Sequence, residues 1–161
     1  MLNKKRKYPK KEGAFVKAFM KEVDAQCDRR DIWWCKVHGE PMQRRGIPDI
    51  MICYKGVFVA AEFKIMRGGT LKVTPYQQDT LETVAKAKGI SYVIFWDETT
   101  ANVGINTEQF EGKDAVKKAV TYFLKHVDDM KASITCYDLI HGIQEKILQE
   151  TDYVNQELYK S

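Results

Sequence analysis

The stretch RRGIPDIMICYKGVFVAAEFKI, residues 44–65, decides the fold of this chain. Two runs rich in Val, Ile and Phe stand on either side of Lys55 and Gly56, a pair typical of a tight hairpin turn. The first run, DIMICY, and the second, VFVAAEFKI, therefore predict two neighbouring antiparallel strands. Charged residues interrupt both runs, and their positions carry the functional argument.

Asp49 stands at the start of the first predicted strand, and Glu62 and Lys64 lie inside the second. Side chains alternate between the two faces of a strand, so Glu62 and Lys64 share a face with Ala60, while the opposite face is apolar core. The turn places residues 49–50 across from residues 61–62, so Asp49 and Glu62 can converge. Neighbouring carboxylates repel unless a proton or cation joins them, and hard oxygen ligands suit Mg²⁺ or Mn²⁺.

A structural alternative is an ion pair between Glu62 and Lys64 on a solvated face of the sheet. That interpretation leaves Asp49 unexplained. It predicts that Asp49→Ala mainly lowers stability, whereas a metal site predicts that this change keeps the fold and abolishes function.

The rest of the chain predicts a layered α/β (α+β) domain. Helical periodicity begins near Glu12, and a second helix starts near Thr74, with Pro75 in its first turn and Gly89 after its end. From Lys113 onward the pattern is helical again. The remaining predicted elements are the strands IWWCKV and SYVIFW, a short strand in ANVGI, the loops HGEPMQRRGIP and MRGGTLKV, and a last helix from about Cys136 to Tyr159.

Composition indicates a globular protein of one domain, with 161 residues, 44% apolar and 30% charged. No apolar run is long enough to span a bilayer, and the basic N-terminus lacks the apolar segment of a secretory signal. We therefore expect a cytoplasmic protein without a membrane partner. None of the four cysteines forms a C-x-x-C pair, so we expect no cysteine metal site.

The net charge of +4 is modest, but the basic residues cluster. One cluster lies at residues 4–11, and two more stand on either side of the hairpin carboxylates. Such clusters favour a polyanion such as nucleic acid, although solvated surface lysine is the simpler explanation for the N-terminal run. The residues of the second and third clusters are Arg44, Arg45, Lys64, Arg67 and Lys72.

The spacing of the charged motifs resembles a known family of nucleases. Asp49 follows a proline, and after twelve residues comes Glu62-Phe63-Lys64, which matches the PD-(D/E)xK nuclease signature. GIPDI, EFK and TPYQQ, in this order, further resemble the VRR-NUC branch, whose members are similar to Holliday junction resolvases. The resemblance covers roughly residues 12–105.

This resemblance implies a restriction-endonuclease-like core, with a mixed sheet flanked by helices, at residues 12–105. Residues 1–11 would form a flexible basic arm, and residues 106–161 a helical extension that covers the sheet, forms a dimer interface or binds a protein. It also implies a homodimer, because a small domain with one site needs a second copy to make paired cuts. Stand-alone nucleases of this kind resemble products of phages or mobile elements.

The resemblance also implies the roles of individual residues. Asp49, Glu62 and the backbone carbonyl of Phe63 would bind Mg²⁺ or Mn²⁺, with Glu12 completing the site directly or through water. Lys64 would position and deprotonate the attacking water or stabilise the phosphate charge, and Gln77 would orient water or phosphate.

The implied activity is hydrolysis of phosphodiester bonds in DNA flaps, branches or junctions. Arg44, Arg45, Arg67 and Lys72 would contact backbone phosphates, which carry no base sequence. The main alternative is a non-catalytic DNA-binding or assembly protein that keeps the nuclease fold.

Overall fold

The structure, a computed structural model, describes residues 12–39 and 42–133. The predicted basic arm at residues 1–11 and the predicted last helix, from about Cys136 to Tyr159, lie outside the described residues. The chain divides into two compact units, Met1–Val127 and Asp128–Ser161. The first unit contains the sheet and the candidate site.

One mixed sheet of six strands, which are hydrogen-bonded in chain order, organises the first unit. All neighbouring pairs are antiparallel except β3 and β4, which are parallel. A parallel pair needs a crossover connection, and helix α2 (Pro75–Lys86) provides it. The strands are β1 (Ile32–Lys36), β2 (Ile50–Tyr54), β3 (Val57–Met66), β4 (Ile90–Asp97), β5 (Val103–Ile105) and β6 (Glu108–Phe110).

The predicted hairpin is confirmed. Lys55 has φ 47° and Gly56 has φ 83°, so both turn residues adopt the left-handed backbone that a two-residue type I′ turn requires. The turn fixes a register in which Ile50 pairs with Ala61. Asp49, one residue before Ile50, therefore lies level with Glu62, as the sequence predicted.

Helix α1 (Glu12–Gln26) packs on the face of the sheet that carries Phe63. Its buried Phe15 and Phe19 meet the Phe63 ring edge-on, at centroid distances of 5.7 and 5.4 Å. Phe19 also contacts Phe123, 5.8 Å away, from the helix that begins at residue 115. This aromatic core holds β3 rigidly from one face, while Glu62 and Lys64 point to the other.

Helix α2 covers part of that other face. Thr74 caps its N-terminus, Pro75 occupies the first turn and Gly89 follows its end, which confirms the predicted bounds. The predicted loop MRGGTLKV contains a tight turn, because Arg67 and Thr70 exchange two backbone hydrogen bonds.

The described structure beyond residue 105 includes a strand that the sequence did not predict. β6 pairs with β5 through a turn in which Asn106 has φ 51°. Its sequence, Glu-Gln-Phe, is too short and too polar to give a strand pattern. The predicted helix then begins at residue 115. Its residues 115–127 belong to the first unit, and helical residues 128–133 belong to the second.

Across the described ranges 12–39 and 42–133, no helix has the length and apolar character needed to cross a bilayer.

Candidate active site

Asp49, Glu62 and Lys64 converge at the open end of the β2–β3 hairpin, opposite its turn. The side chains of Asp49 and Glu62 share a hydrogen bond, and Lys64 Nζ lies 3.3 Å from Glu62 Oε1. Asp49 Oδ2 also accepts a hydrogen bond of 2.8 Å from the backbone N–H of Phe63. Glu62 is only 1% exposed, so this carboxyl group is removed from bulk water. The structure therefore joins two carboxyl groups and one ammonium in a single cluster, in which Glu62 is buried and Asp49 and Lys64 are half-buried.

Gln77 joins the cluster from helix α2. Its Nε2 donates a hydrogen bond of 2.6 Å to Glu62 Oε1. Its Oε1 accepts a hydrogen bond from the Thr74 backbone N–H, and its own backbone N–H donates to Thr74 Oγ1. Such a capping box holds the side chain at both ends, so Gln77 orients the Glu62 carboxyl group. The neighbouring Gln78 instead bonds Glu82 on the exposed surface of the helix.

The electrostatics of the cluster favour a bound proton or cation. Burial and, after it, the adjacent Asp49 carboxylate raise the pKa of Glu62 to about 7, although Lys64 acts in the opposite direction. The pKa of Glu12 is also raised, first by desolvation and then by Asp49. A proton or a cation bound between two neighbouring carboxylates removes their repulsion and so stabilises the pair.

Glu12 lies at the rim of a cleft of about 520 Å³. The cleft is also lined by the predicted basic residues Lys64, Arg67 and Lys72, and by Thr70. Glu12 is the first residue of α1 and is solvent-exposed, so it faces the cluster from across the cleft opening.

A second groove, of about 350 Å³, meets the cluster at Asp49. Arg44 and Arg45 line this groove. The guanidinium carbon of Arg45 lies 5.4 Å from the centre of the Tyr76 ring, in a cation–π contact. The basic residues predicted to contact phosphate thus form two groups, one in the groove and one in the cleft, with the carboxyl groups between them.

The donor set of the cluster fits a hard divalent cation. Within residues 12–39 and 42–133, no three His, Cys, Asp or Glu side chains are close enough to hold a metal by themselves. Asp49 and Glu62 supply carboxylate oxygens. The N–H and C=O of one strand residue point to the same edge, so the Phe63 carbonyl shares the direction of its N–H toward Asp49. Mg²⁺ commonly takes one or two carboxylates and retains several waters, so this set suffices.

Three residues of the site were missing from the sequence prediction. Lys36 ends β1 opposite Ile50 and lowers the pKa of Glu12 electrostatically. Thr70 lines the cleft, and Tyr76 contacts Arg45. Tyr76 lies between Pro75 and Gln77 in the segment TPYQQ that carries the family resemblance. This position was the sequence signal that could have pointed to Tyr76. Lys36 could be placed in the site only from the register of β1 against β2, and Thr70 only from the turn that begins at Arg67. The sequence specifies neither.

No protein-family model and no curated protein matches the chain. Among solved structures, the chain is similar to Hjc, a Holliday junction resolvase from the archaeal hyperthermophile Archaeoglobus fulgidus. The two sequences are 18% identical, the similarity covers 60% of this chain and 72% of that chain, and the TM-score is 0.41.

Proposed function

We propose that the chain is a metal-dependent DNA nuclease of the PD-(D/E)xK type, of the VRR-NUC branch and with a restriction-endonuclease-like core. Its substrates would be flaps, branches or junctions, selected by shape. The observation that carries this proposal is the Asp49–Glu62 carboxyl pair, in which Lys64 and Gln77 contact the buried Glu62. Asp49 also lines the groove, and Lys64 lines the cleft.

The carboxyl pair is difficult to explain as a stabilising device. A structural ion pair needs only Glu62 and Lys64, and the nearby Asp49 raises the pKa of Glu62 and so opposes its charged form. Burying like charges together costs stability unless a cation or proton joins them. An arrangement that costs stability in the isolated protein is typical of a functional site.

Asp49, Glu62 and the Phe63 carbonyl would hold Mg²⁺ or Mn²⁺, with Glu12 contributing from the rim of the cleft. When bound, such an ion lowers the pKa of a coordinated water and neutralises phosphate charge. Gln77 would hold Glu62 in one orientation through its 2.6 Å hydrogen bond to Oε1.

Lys64 is suited to act on the attacking water or on the phosphate. Its Nζ contacts Glu62 and also lines the 520 Å³ cleft, so one ammonium group reaches both the carboxyl pair and the space for substrate. As a donor in a partly buried place, it would stabilise negative charge that develops on the phosphate.

The basic residues of the groove and the cleft would contact phosphates on the two sides of the cut bond. Contacts to phosphate position the substrate without reading bases, which agrees with selection by DNA shape. Homodimerisation, a protein partner for residues 106–161, a cytoplasmic location and phage origin stay predictions.

The deciding experiment is cleavage of plasmid, flap, splayed-arm and four-way-junction DNA with Mg²⁺, Mn²⁺ or EDTA. We expect cleavage that depends on the metal and is lost in Lys64→Ala. The matched control, Lys125→Ala, replaces an exposed lysine of the helix at 115–127 and should cut normally. Tight binding without cleavage of any substrate would instead support a non-catalytic DNA-binding protein.

A further inference from the structure

The loop before β2 is fastened to the first turn of α2 at a point of backbone contact. Gly46 has φ 81°, and a Cβ atom at this position would overlap the backbone carbonyl of Tyr76. Only glycine permits both this backbone angle and this approach. The contact fixes the position of Arg45, the preceding residue, relative to the Tyr76 side chain.

Arg45, which lines the 350 Å³ groove, and Tyr76 form an exposed cation–π pair. The guanidinium lies over the ring at 5.4 Å, and Arg45 also lines the groove that ends at Asp49. Tyr76 nevertheless remains 55% exposed. A large aromatic side chain that is held in place by backbone packing, yet left open to solvent beside a candidate catalytic cluster, is available to a ligand.

The position of the pair matches what an unpaired nucleotide needs. Gln77, the next residue after Tyr76, bonds Glu62, while Asp49 stands three residues after Gly46. The pair therefore stands on the two segments that bring Asp49 and Gln77 to the cluster. Aromatic rings and guanidinium planes both stack on nucleobases, and this stacking tolerates any base because every base has a flat face.

We propose that Tyr76 and Arg45 form a stacking platform that holds an unpaired base beside the catalytic cluster, so that the site selects DNA with a single-stranded segment. This inference rests on the proposed nuclease function and deepens it, because it names the feature that distinguishes a flap or splayed arm from continuous duplex. Bases in a duplex are stacked on their neighbours and cannot occupy the platform without unpairing.

The test compares two probes that share phosphates and differ in bases. One is a fluorescently labelled decamer of thymidine, and the other is the same decamer with abasic tetrahydrofuran residues. Binding of the full chain is measured by fluorescence anisotropy in EDTA at fixed salt. We expect the Kd for the thymidine probe to be lower by about five- to hundredfold, the range typical of stacking on one aromatic side chain.

Substitutions of Tyr76 and Arg45 test whether these two side chains cause the preference for the thymidine probe. Tyr76→Ala should bring the ratio of the two Kd values to about one, while Tyr76→Phe, which keeps the aromatic face, should retain it. Arg45→Lys keeps the charge but not the plane, so it should lower the ratio without changing the salt dependence. The control is Trp33→Ala, because Trp33 is an aromatic residue that is 63% exposed and lies on β1, in register with Cys53.

Equal Kd values for both probes in the wild-type protein would overturn the proposal. So would a ratio that survives Tyr76→Ala, or one that Trp33→Ala lowers as strongly. These outcomes are separate from failure of the nuclease proposal, since binding in EDTA requires no cleavage. A protein that cuts none of the DNA substrates with either metal would contradict the nuclease function even if the base preference were present.

Discussion

At the scale of single residues, Glu62 is the most constrained side chain of the site. It is buried, and it contacts Gln77 at 2.6 Å, Lys64 at 3.3 Å and the side chain of Asp49. Burial and Asp49 together favour its protonated form in the absence of metal. The isolated protein should therefore respond to pH and to divalent cations through this residue.

Because of Glu62, the free energy of unfolding of the metal-free protein should decrease as the pH rises from about 4.5 to about 7. Its pKa is about 7 in the folded chain against 4.5 for an ordinary glutamate side chain in water, so the folded state retains a proton that the unfolded state has lost. The contribution is fully present below pH 4.5 and is lost as pH rises through 7. The difference of about 2.5 in pKa corresponds to about 3 kcal/mol.

Urea unfolding in EDTA from pH 4 to pH 8 measures this contribution as the difference between wild type and Glu62→Gln. Glu62→Gln removes the titrating group while preserving its shape. We expect the difference to change by a few kcal/mol across that range, and Mg²⁺ to stabilise the wild type at pH 8 more than the variant. Parallel pH curves for the two proteins would contradict the raised pKa.

Asp49→Asn should separate function from stability more cleanly than Asp49→Ala. The asparagine oxygen can still accept the Phe63 N–H, whereas alanine leaves this donor without a partner, at a cost of about 1–3 kcal/mol. We expect Asp49→Asn to lose cleavage while its urea midpoint stays near that of the wild type. The control is Asp79→Asn on the exposed surface of α2. A variant that cuts at the wild-type rate would show that cleavage does not need the negative charge of Asp49.

At the scale of secondary-structure elements, three segments build the site and each has its own support. The aromatic contacts of α1 hold β3, the type I′ turn sets the register of β2, and the capping box of α2 fixes Gln77. The loop before β2 joins them through the contact of Gly46 with Tyr76. A change in that loop should therefore affect the site at a distance.

Gly46→Ala should both destabilise the protein and lower its activity. The new Cβ would overlap the Tyr76 carbonyl and would also strain a left-handed backbone, which costs about 1–3 kcal/mol by itself. Gly56→Ala is the matched control, because Gly56 has a similar φ of 83° but open space around its Cβ position. Unfolding and cleavage rates are measured for both. Equal effects of the two changes would show that the contact with Tyr76 is unimportant.

At the scale of the whole molecule, the net charge of +4 describes the surface poorly. The residues that would contact phosphate belong to segments far apart in sequence, the loop at 44–46 and the turn after β3. The fold places them on the two sides of one carboxyl cluster. A DNA strand that crosses the cluster would therefore meet positive charge before and after it.

Binding of DNA should weaken with salt, and single basic residues should change the slope. Removing one phosphate contact makes the plot of log K against log salt concentration less steep, by about one in slope. We expect this for Arg44→Ala in the groove and for Lys72→Ala in the cleft, measured in EDTA with one flap substrate. Lys125→Ala, outside both sites, should leave the slope unchanged. An affinity that does not vary with salt would contradict the phosphate contacts.

The hairpin was predictable from the sequence because its signals are local. Lys55-Gly56 imposes one turn type, and the turn sets the register that brings Asp49 level with Glu62. The bounds of α2 were predictable for the same reason, since Thr74, Pro75 and Gly89 act on the nearest turn of the helix. β6 was missed because a strand of three residues has no periodicity of its own and forms only when β5 is beside it.

The sequence by itself determined the positions of Asp49, Glu62 and Lys64 along the hairpin, because alternation and turn geometry need only neighbouring residues. The tertiary structure decided the rest. It brought Gln77, which the family resemblance had already named, to Glu62, and it placed Arg45 over Tyr76. It also brought Lys36 toward Glu12. These contacts join residues of different elements, so their distances depend on how α1 and α2 pack on the sheet, which no local pattern encodes.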